Sequence, residues 1–408
     1  MNRTCSKPSV DGHIGMSSYS VKPADDQVFP RRLYCALPCY NLCPIGGILS
    51  RFLALLLALL GALCLAPSAS VAAADDYEQP ERVIAVGDLH GDFEAWSAIA
   101  EASGIANDEG KWSGGQAVLV QMGDVTDRGP DSLKIILHLQ KLAEQASKVG
   151  GRVIILLGNH EAMNVTGDLR YVHHGEYDAF RDRRSERRRD ATWRANHELL
   201  EEAYAVLVPP LGPEEAKARW YADTPLGKLE HRRAWRPGGA LGQWASGLPA
   251  IAKVGYILFV HGGLSAERSL EPLDDINTRI SSALASGDPE YIAILEDPLG
   301  PLWYRGNLVR GEPADRPRIS VSEELQQVLA FHDADLLVVG HTPSLSGIAV
   351  SDDGRLVQTD TGISAYYGGP LSYLEIRGEQ LTAHERTADG VWSSRALNRG
   401  DGAKEEKQ

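Results

Sequence analysis

Short apolar, β-branched runs alternate along the chain with longer stretches whose apolar residues recur at helical spacing. Val83–Val86 is such a run and ends in Gly87; Asp92–Ser103 reads as a helix, and Ala117–Met122 is again a strand. Pro130–Lys148 reads as a long helix with proline in its first turn, and Val153–Leu157 as a third strand. This β-α-β-α-β rhythm predicts parallel strands in a layered α/β domain. Residues 165–250 break the rhythm and read as a helical insertion, with an Arg-rich run at 181–189. Strand patterning returns at Tyr256–Val260, Leu336–Val339, Gly347–Val350, Leu356–Thr359 and Leu371–Ile376. The Asp353-Gly354 pair marks a hairpin turn, so these late strands are expected to be antiparallel neighbours. Residues 388–408 are polar and read as a frayed tail, which leaves 82–387 as the main domain.

Composition narrows the classes. The chain is 43% hydrophobic and 24% charged, which is ordinary for a globular protein and excludes a low-complexity or collagen-like one. Its formal charge of −14 argues against nucleic-acid binding as the main task, because phosphate-backbone surfaces need excess Lys and Arg. The Arg-rich run reads first as a solvated helix face paired with Asp182, Glu186 and Asp190; the rival reading is a patch that steers anionic substrates.

Residues 52–66 form an uninterrupted apolar run behind Arg51. A spanning helix needs about 20 apolar residues, so the run is short for an anchor and suits the core of a signal peptide. Small residues from Ala69 to Ala74 follow, then Asp75, which fits a cut between 70 and 76. Residues 1–74 are therefore read as a leader, long for its type, with Met16 as an alternative start and a retained anchor at 52–66 as the rival reading. Cys5, Cys35, Cys39, Cys43 and Cys64 all lie within it, and a chain beginning after it would be thiol-free, as suits an oxidising compartment. The expectation is a periplasmic or exported protein with no stable membrane insertion after cleavage.

The candidate chemistry sits at strand ends. The first gives Gly87-Asp88-Leu89-His90-Gly91-Asp92, the second Gly123-Asp124-Val125-Thr126-Asp127-Arg128-Gly129, and the third Gly158-Asn159-His160-Glu161. Later come Val260-His261-Gly262-Gly263 and Val339-Gly340-His341-Thr342-Pro343. Ligands of α/β folds bind at the carboxyl edge of the strands, where all five clusters fall. Asp, His and an Asn carbonyl suit Mn, Fe or Zn rather than calcium. Asp88 and His90 can chelate one ion, Asp124 can bridge two, and Asn159, His261 and His341 can complete the second. Two ions about 3.5–4 Å apart clamp an in-line displacement at phosphorus and acidify a shared water into the nucleophile.

The order of these motifs resembles the calcineurin-like metallophosphoesterase superfamily, and within it the phosphoprotein phosphatase branch. The continuation Asn164-Val165-Thr166-Gly167-Asp168-Leu169-Arg170-Tyr171, the run Gly300-Pro301-Leu302-Trp303-Tyr304-Arg305-Gly306 and the helical insertion are similar to the bacterial Shewanella-like phosphatases. The resemblance implies an α/β fold of two mixed β-sheets packed face to face and flanked by helices. It also implies two divalent or trivalent ions: Asp88, His90 and Asp124 would hold the first, and Asp124, Asn159, His261 and His341 the second. His160 would protonate the leaving oxygen, Asp127 would orient its ring, and Arg128, Arg305 and Asn159 would meet phosphate. Guanidinium forks match phosphate oxygens, and an acid is needed to expel an alkoxide. Tyr366 or Tyr367 would line the pocket or simply pack.

The expected activity is hydrolysis of phosphomonoesters on phosphoproteins or phosphopeptides, with small phosphoesters behind. Proline follows His341-Thr342 where many superfamily nucleases carry a second His, which disfavours a nuclease. The Ser-Ala-Pro-Asn-Tyr motif of eukaryotic Ser/Thr phosphatases is absent, with Asp360-Thr361-Gly362-Ile363 in its place. The rivals are a diadenosine-tetraphosphatase type of nucleotide hydrolase, against which Glu161 and Asp127-Arg128 count, and a non-catalytic metal- or phosphate-binding protein.

Overall fold

The computed structural model of the chain describes residues 79–310 and 318–399. The expected leader, with the apolar run at 52–66, lies outside the described residues, as do residues 400–408 of the expected tail. Among the described residues no helix is long and apolar enough to cross a membrane.

The first half of the domain runs β1 (Val83–Val86), α1 (Phe93–Ala102), β2 (Val118–Gln121), α2 (Ser132–Ser147), β3 (Arg152–Ile155) and α3 (Asn159–Thr166). The insertion follows as a 3-10 helix (His174–Phe180), α4 (Ser185–Ala205), α5 (Pro213–Asp223), α6 (Lys228–Trp235) and α7 (Ala240–Ser246). Then come β4 (Ile251–Val254), β5 (Ile257–Val260), α8 (Ala266–Ser269), α9 (Leu273–Ser286), α10 (Pro289–Leu295), α11 (Val321–Phe331) and β6 (Leu336–Val339). The chain closes with β7 (Ala349–Ser351), β8 (Leu356–Gln358), β9 (Ser372–Arg377), β10 (Gln380–Arg386) and β11 (Trp392–Leu397).

Two mixed sheets result, in the orders β11-β10-β9-β1-β2-β3 and β4-β5-β6-β8-β7. β1, β2 and β3 are parallel, as are β5, β6 and β8. Alternation within each strand divides the core. Val83, Ala85, Val118 and Val120 face Ile257, Phe259, Leu336 and Val338 in the layer between the sheets. Their neighbours Ile84, Val86 and Leu119, with Leu258, Val260 and Leu337, pack among helix residues such as Trp96, Ile99, Ile135, Ile280 and Leu325. Covered on both faces, the central strands read as unbroken apolar runs. The insertion carries a small core of its own, Trp193, Leu200, Tyr204, Ala216 and Trp220.

Helix ends follow local chemistry. Asp92 caps α1 by accepting from Ala95 N at 2.9 Å. Pro130 precedes the N-cap Asp131 of α2 rather than standing in its first turn. Glu161 reaches back to Gly158 N at 2.9 Å and closes the start of α3.

Three expectations change. The late strands are not one antiparallel group: β7 and β8 form the hairpin over Asp353-Gly354, but β8 lies parallel to β6 and β9 crosses to the other sheet beside β1. Alternation marks a strand but not its partner, which tertiary packing chooses. Residues 392–397 are not frayed tail but the edge strand β11 on β10, held by backbone pairing although most of its side chains are exposed. β4 and β10 lack a distinct apolar run and were not anticipated; each is placed by an antiparallel neighbour.

Candidate active site

The carboxyl ends of β1, β2 and β3 meet those of β5, β6 and β8, and every strand-end cluster arrives at the junction. Asp88, His90, Asp124, Asp127, Asn159, His160, His261 and His341 are all buried there. Asp124 is central: Oδ1 is 3.3 Å from His261 Nε2, and Oδ2 is 3.8 Å from Nε2 of both His90 and His160. Asp88 bridges the sheets, accepting from His341 N at 3.1 Å and lying 3.8 Å from His261 Nδ1. Asn159 Oδ1 meets His261 Nε2 at 2.9 Å.

The backbone is bent to reach this arrangement. His90, Asp124, Asp127, Arg128 and His341 all adopt positive φ, between 44° and 71°. Left-handed conformations cost L-residues roughly 1–2 kcal/mol each, and such outliers gather at functional sites. The loops also crowd: a Cβ on Gly158 would collide with Asp124 N and Oδ1, and one on Gly91 with the Gly129 backbone.

The imidazoles are oriented by their second nitrogens. His90 Nδ1 is 3.0 Å from Thr126 O, and His261 Nδ1 is 2.9 Å from Met122 O. A carbonyl accepts only, so Nδ1 carries the proton in both rings and Nε2 is turned to the carboxylates. His160 Nδ1 meets Asp127 Oδ2 at 2.6 Å, and Asn164 Nδ2 donates to Asp127 Oδ1 at 2.8 Å, so His160 Nε2 also points inward.

Electrostatically the pocket calls for positive charge. Burial, with the Asp360 and Asp124 carboxylates beside it, pushes Asp88 well above the usual carboxylate range. Burial disfavours a charged His261, yet Asp124 and Asp88 pull it up to about 10. His341 goes the other way, held low by burial and by His261 and Arg305.

The donor atoms suit metal ions. His90, Asp124 and His160 form one group whose ligand atoms lie within 4.8 Å of one another, and Asp124, His261 and His341 form another. His341 Nε2 is buried with no hydrogen-bond partner, an orphan that a cation would satisfy. Asp88 lies 4.0 Å from His90 Nε2, beside the first group rather than in it.

The two arginines flank the donors. Arg305 Nη1 donates to His341 O at 2.7 Å and to Thr342 Oγ1 at 3.1 Å, and its exposed end is free to meet a ligand. Arg128 is half-buried between Tyr171, Tyr366 and Tyr367. In the Arg-rich run, Arg188 pairs with Asp182 and Glu230 and Arg189 donates to Thr224 O, so these two serve the insertion's own packing.

Sequence reasoning named Glu161, Asn164, Tyr171 and Asp360 within motifs but gave none of the four a role in this junction. Glu161 accepts from Asp124 N at 3.0 Å, Thr126 N at 3.1 Å and Gly158 N at 2.9 Å, lashing two strand ends together. Asn164 holds Asp127, and Tyr171 packs on His160 with ring centroids 5.1 Å apart. Asp360 follows β8 as Asp88 follows β1, a parallel that was visible in the sequence.

The calcineurin-like phosphoesterase family model matches residues 81–345. The chain belongs to the calcineurin-like phosphoesterase family. It is similar to Shewanella-like protein phosphatase 2 of Arabidopsis thaliana, 35% identical over 74% of this chain and 76% of the relative. Shewanella-like protein phosphatase 1 of Plasmodium berghei is 31% identical over 76% of this chain and 75% of the relative. Among solved structures, a cold-active protein-tyrosine phosphatase of a Shewanella species shares the fold, with a TM-score of 0.56 and 24% identity over 79% of this chain and 82% of that one. The enzyme is a phosphatase.

Proposed function

We propose that the protein is a dinuclear-metal phosphomonoesterase acting on phosphoproteins or phosphopeptides. The observation that carries this reading is the sharing of Asp124 between two donor groups, one reached from β1 and β3 and the other from β5 and β6. Asp124, His90 and Asp88 would hold one ion, and Asp124, Asn159, His261 and His341 the other; manganese, iron and zinc all suit these donors. When bound, the ions supply charge neutralisation at the phosphoryl group and a water acidic enough to react at neutral pH.

The chain's own residues do the rest. Arg128, beside the rings that pack on His90 and His160, and Arg305, hydrogen-bonded at His341, grip phosphoryl oxygens, with Asn159 contributing at the same cluster. His160 holds a proton at Nε2 and gives it to the departing alkoxide or phenoxide oxygen. Asp127 accepts from His160 Nδ1, which fixes the ring and favours its protonated form. Consistently, although burial opposes a charged ring, the Asp124 and Asp127 carboxylates raise His160 above its ordinary value. The names of the relatives, protein phosphatases and a protein-tyrosine phosphatase, support a phosphorylated protein as substrate.

The test is phosphate release from phosphotyrosine and phosphoserine peptides, p-nitrophenyl phosphate and a diadenosine polyphosphate. Turnover of the monoesters with an inert dinucleotide is expected; preferential cleavage of the dinucleotide would replace this reading with a nucleotide hydrolase. Export to the periplasm is part of the same proposal, on the strength of the apolar run at 52–66, the small residues after it and the confinement of every cysteine to residues before 65. N-terminal sequencing of protein from the native cell should find a start between residues 70 and 76; a full-length chain in the membrane fraction would contradict it.

A further inference from the structure

Three tyrosine rings surround one guanidinium at the edge of the donor cluster. Arg128 Cζ lies 4.7 Å from the ring centroid of Tyr171, 4.8 Å from that of Tyr366 and 5.1 Å from that of Tyr367. All three are within the range of about 6 Å over which a cation is drawn to an aromatic face. Among the described residues no carboxylate forms an ion pair with Arg128, and its buried Nε has no hydrogen-bond partner.

The rings come from distant segments and are anchored to the loops they serve. Tyr171 stands just after α3, and its carbonyl accepts from Arg128 N at 2.9 Å. Tyr366 and Tyr367 lie in the turn between β8 and β9, which hangs from Asp92 through Ala365 N at 2.8 Å. The same Asp92 caps α1 with its other oxygen, directly after the His90 loop. Tyr367 packs on His90 at 5.6 Å between centroids, and Tyr171 on His160 at 5.1 Å. Rings and guanidinium are thus built into one rim.

The chemistry explains why rings rather than acids stand there. A carboxylate would fix an arginine but would occupy its N–H donors and cancel its charge. Aromatic faces attract the cation while leaving the edge donors free for an incoming dianion.

We propose that Tyr171, Tyr366 and Tyr367 form an aromatic cage that holds Arg128 pre-aimed at the substrate phosphate, so that they act as positioning residues for phosphate capture. This rests on the reading of Arg128 as a phosphate-gripping residue. The cage needs the rings and not the hydroxyls; Tyr171 and Tyr367 also pack on His160 and His90, whereas the Tyr366 ring meets Arg128 and Tyr367 and so reports on the guanidinium alone.

The test measures kcat, KM and inhibition by inorganic phosphate for the full metal-loaded enzyme on p-nitrophenyl phosphate. Tyr171→Leu, Tyr366→Leu and Tyr367→Leu are each expected to raise KM and the phosphate inhibition constant by about three- to tenfold, and for Tyr366→Leu, which leaves His90 and His160 their ring neighbours, kcat should change by less than about twofold. The corresponding Phe variants should behave as wild type. In an Arg128→Ala background Tyr366→Leu should have no further effect, because the group it acts through is gone. Tyr366 is 63% exposed, so its substitution leaves the core intact. A Tyr366→Leu effect that persists without Arg128, Phe variants as impaired as Leu, or silent Leu variants beside a damaging Arg128→Ala would overturn the cage alone. An Arg128→Ala enzyme with unchanged KM and phosphate inhibition would overturn the phosphate-gripping reading along with it.

Discussion

Asp124 meets three imidazoles, at 3.3 Å and 3.8 Å, and its carboxyl is held well below the usual range by His261 and His160 although burial opposes this. Asp124→Asn keeps the shape and removes the charge. The account expects metal content to fall and turnover to drop about 10²-fold or more, because both ions lose their shared anion. Metal analysis paired with a turnover assay checks this; near-normal rates with two bound ions would refute the assignment. His160→Asn separates acid from ligand. Both ions should remain while the rate on an alkyl phosphate falls ~10²–10⁴-fold, and the loss should shrink for an aryl phosphate whose leaving group needs no proton. Equal losses on the two substrates would remove His160 as the acid, and a lost ion would make it a ligand, as its place in the first donor group allows.

At the level of elements, side chains outside the donor cluster hold the loops in register. Asp92 shares its oxygens between the start of α1 and the Ala365 turn, at 2.9 Å and 2.8 Å. Asp92→Ala should lower stability by about 1–2 kcal/mol, the usual worth of a cap and one further hydrogen bond, read from the urea midpoint at unchanged slope. The 3-10 helix after Tyr171 is tied to α2 by Glu176, which accepts from Ser132 Oγ and lies 3.6 Å from His231. Burial, with Asp127 nearby, pushes the Glu176 carboxyl up to about 8. A raised acid contributes its full stability below its unfolded value of 4.5 and loses it as pH rises through the folded value. Wild type should therefore weaken between about pH 5 and about pH 8.5, and Glu176→Gln, neutral throughout, should weaken less. Urea midpoints at the two pH values decide it; parallel declines would show that Glu176 does not carry the effect.

On the scale of the whole molecule, the architecture brings two parallel triplets, β1-β2-β3 and β5-β6-β8, to one carboxyl edge. Much of this was legible because each polar cluster directly follows an apolar, β-branched run; Asp88, Asp124, Asn159, His261 and His341 announce themselves in that way. What the chain does not spell out is pairing at long range. That β9 leaves the sheet of β7 and β8 to pair with β1, or that Tyr171 and Tyr366 both reach Arg128, depends on the packing of segments far apart in sequence. The edge strand β11 was hidden for a different reason: its centre, Ser393-Ser394-Arg395, is polar and exposed, which leaves Trp392 and Leu397 at its ends without an apolar run between them.

The central claim is that one shared edge binds two ions and hydrolyses phosphomonoesters. Metal-free enzyme titrated with manganese, with phosphate release from a phosphotyrosine peptide followed at each step, tests it most directly. The account predicts no turnover without metal and activity that reaches its plateau at two ions per chain. Full activity at one ion, or in the metal-free enzyme, would contradict it.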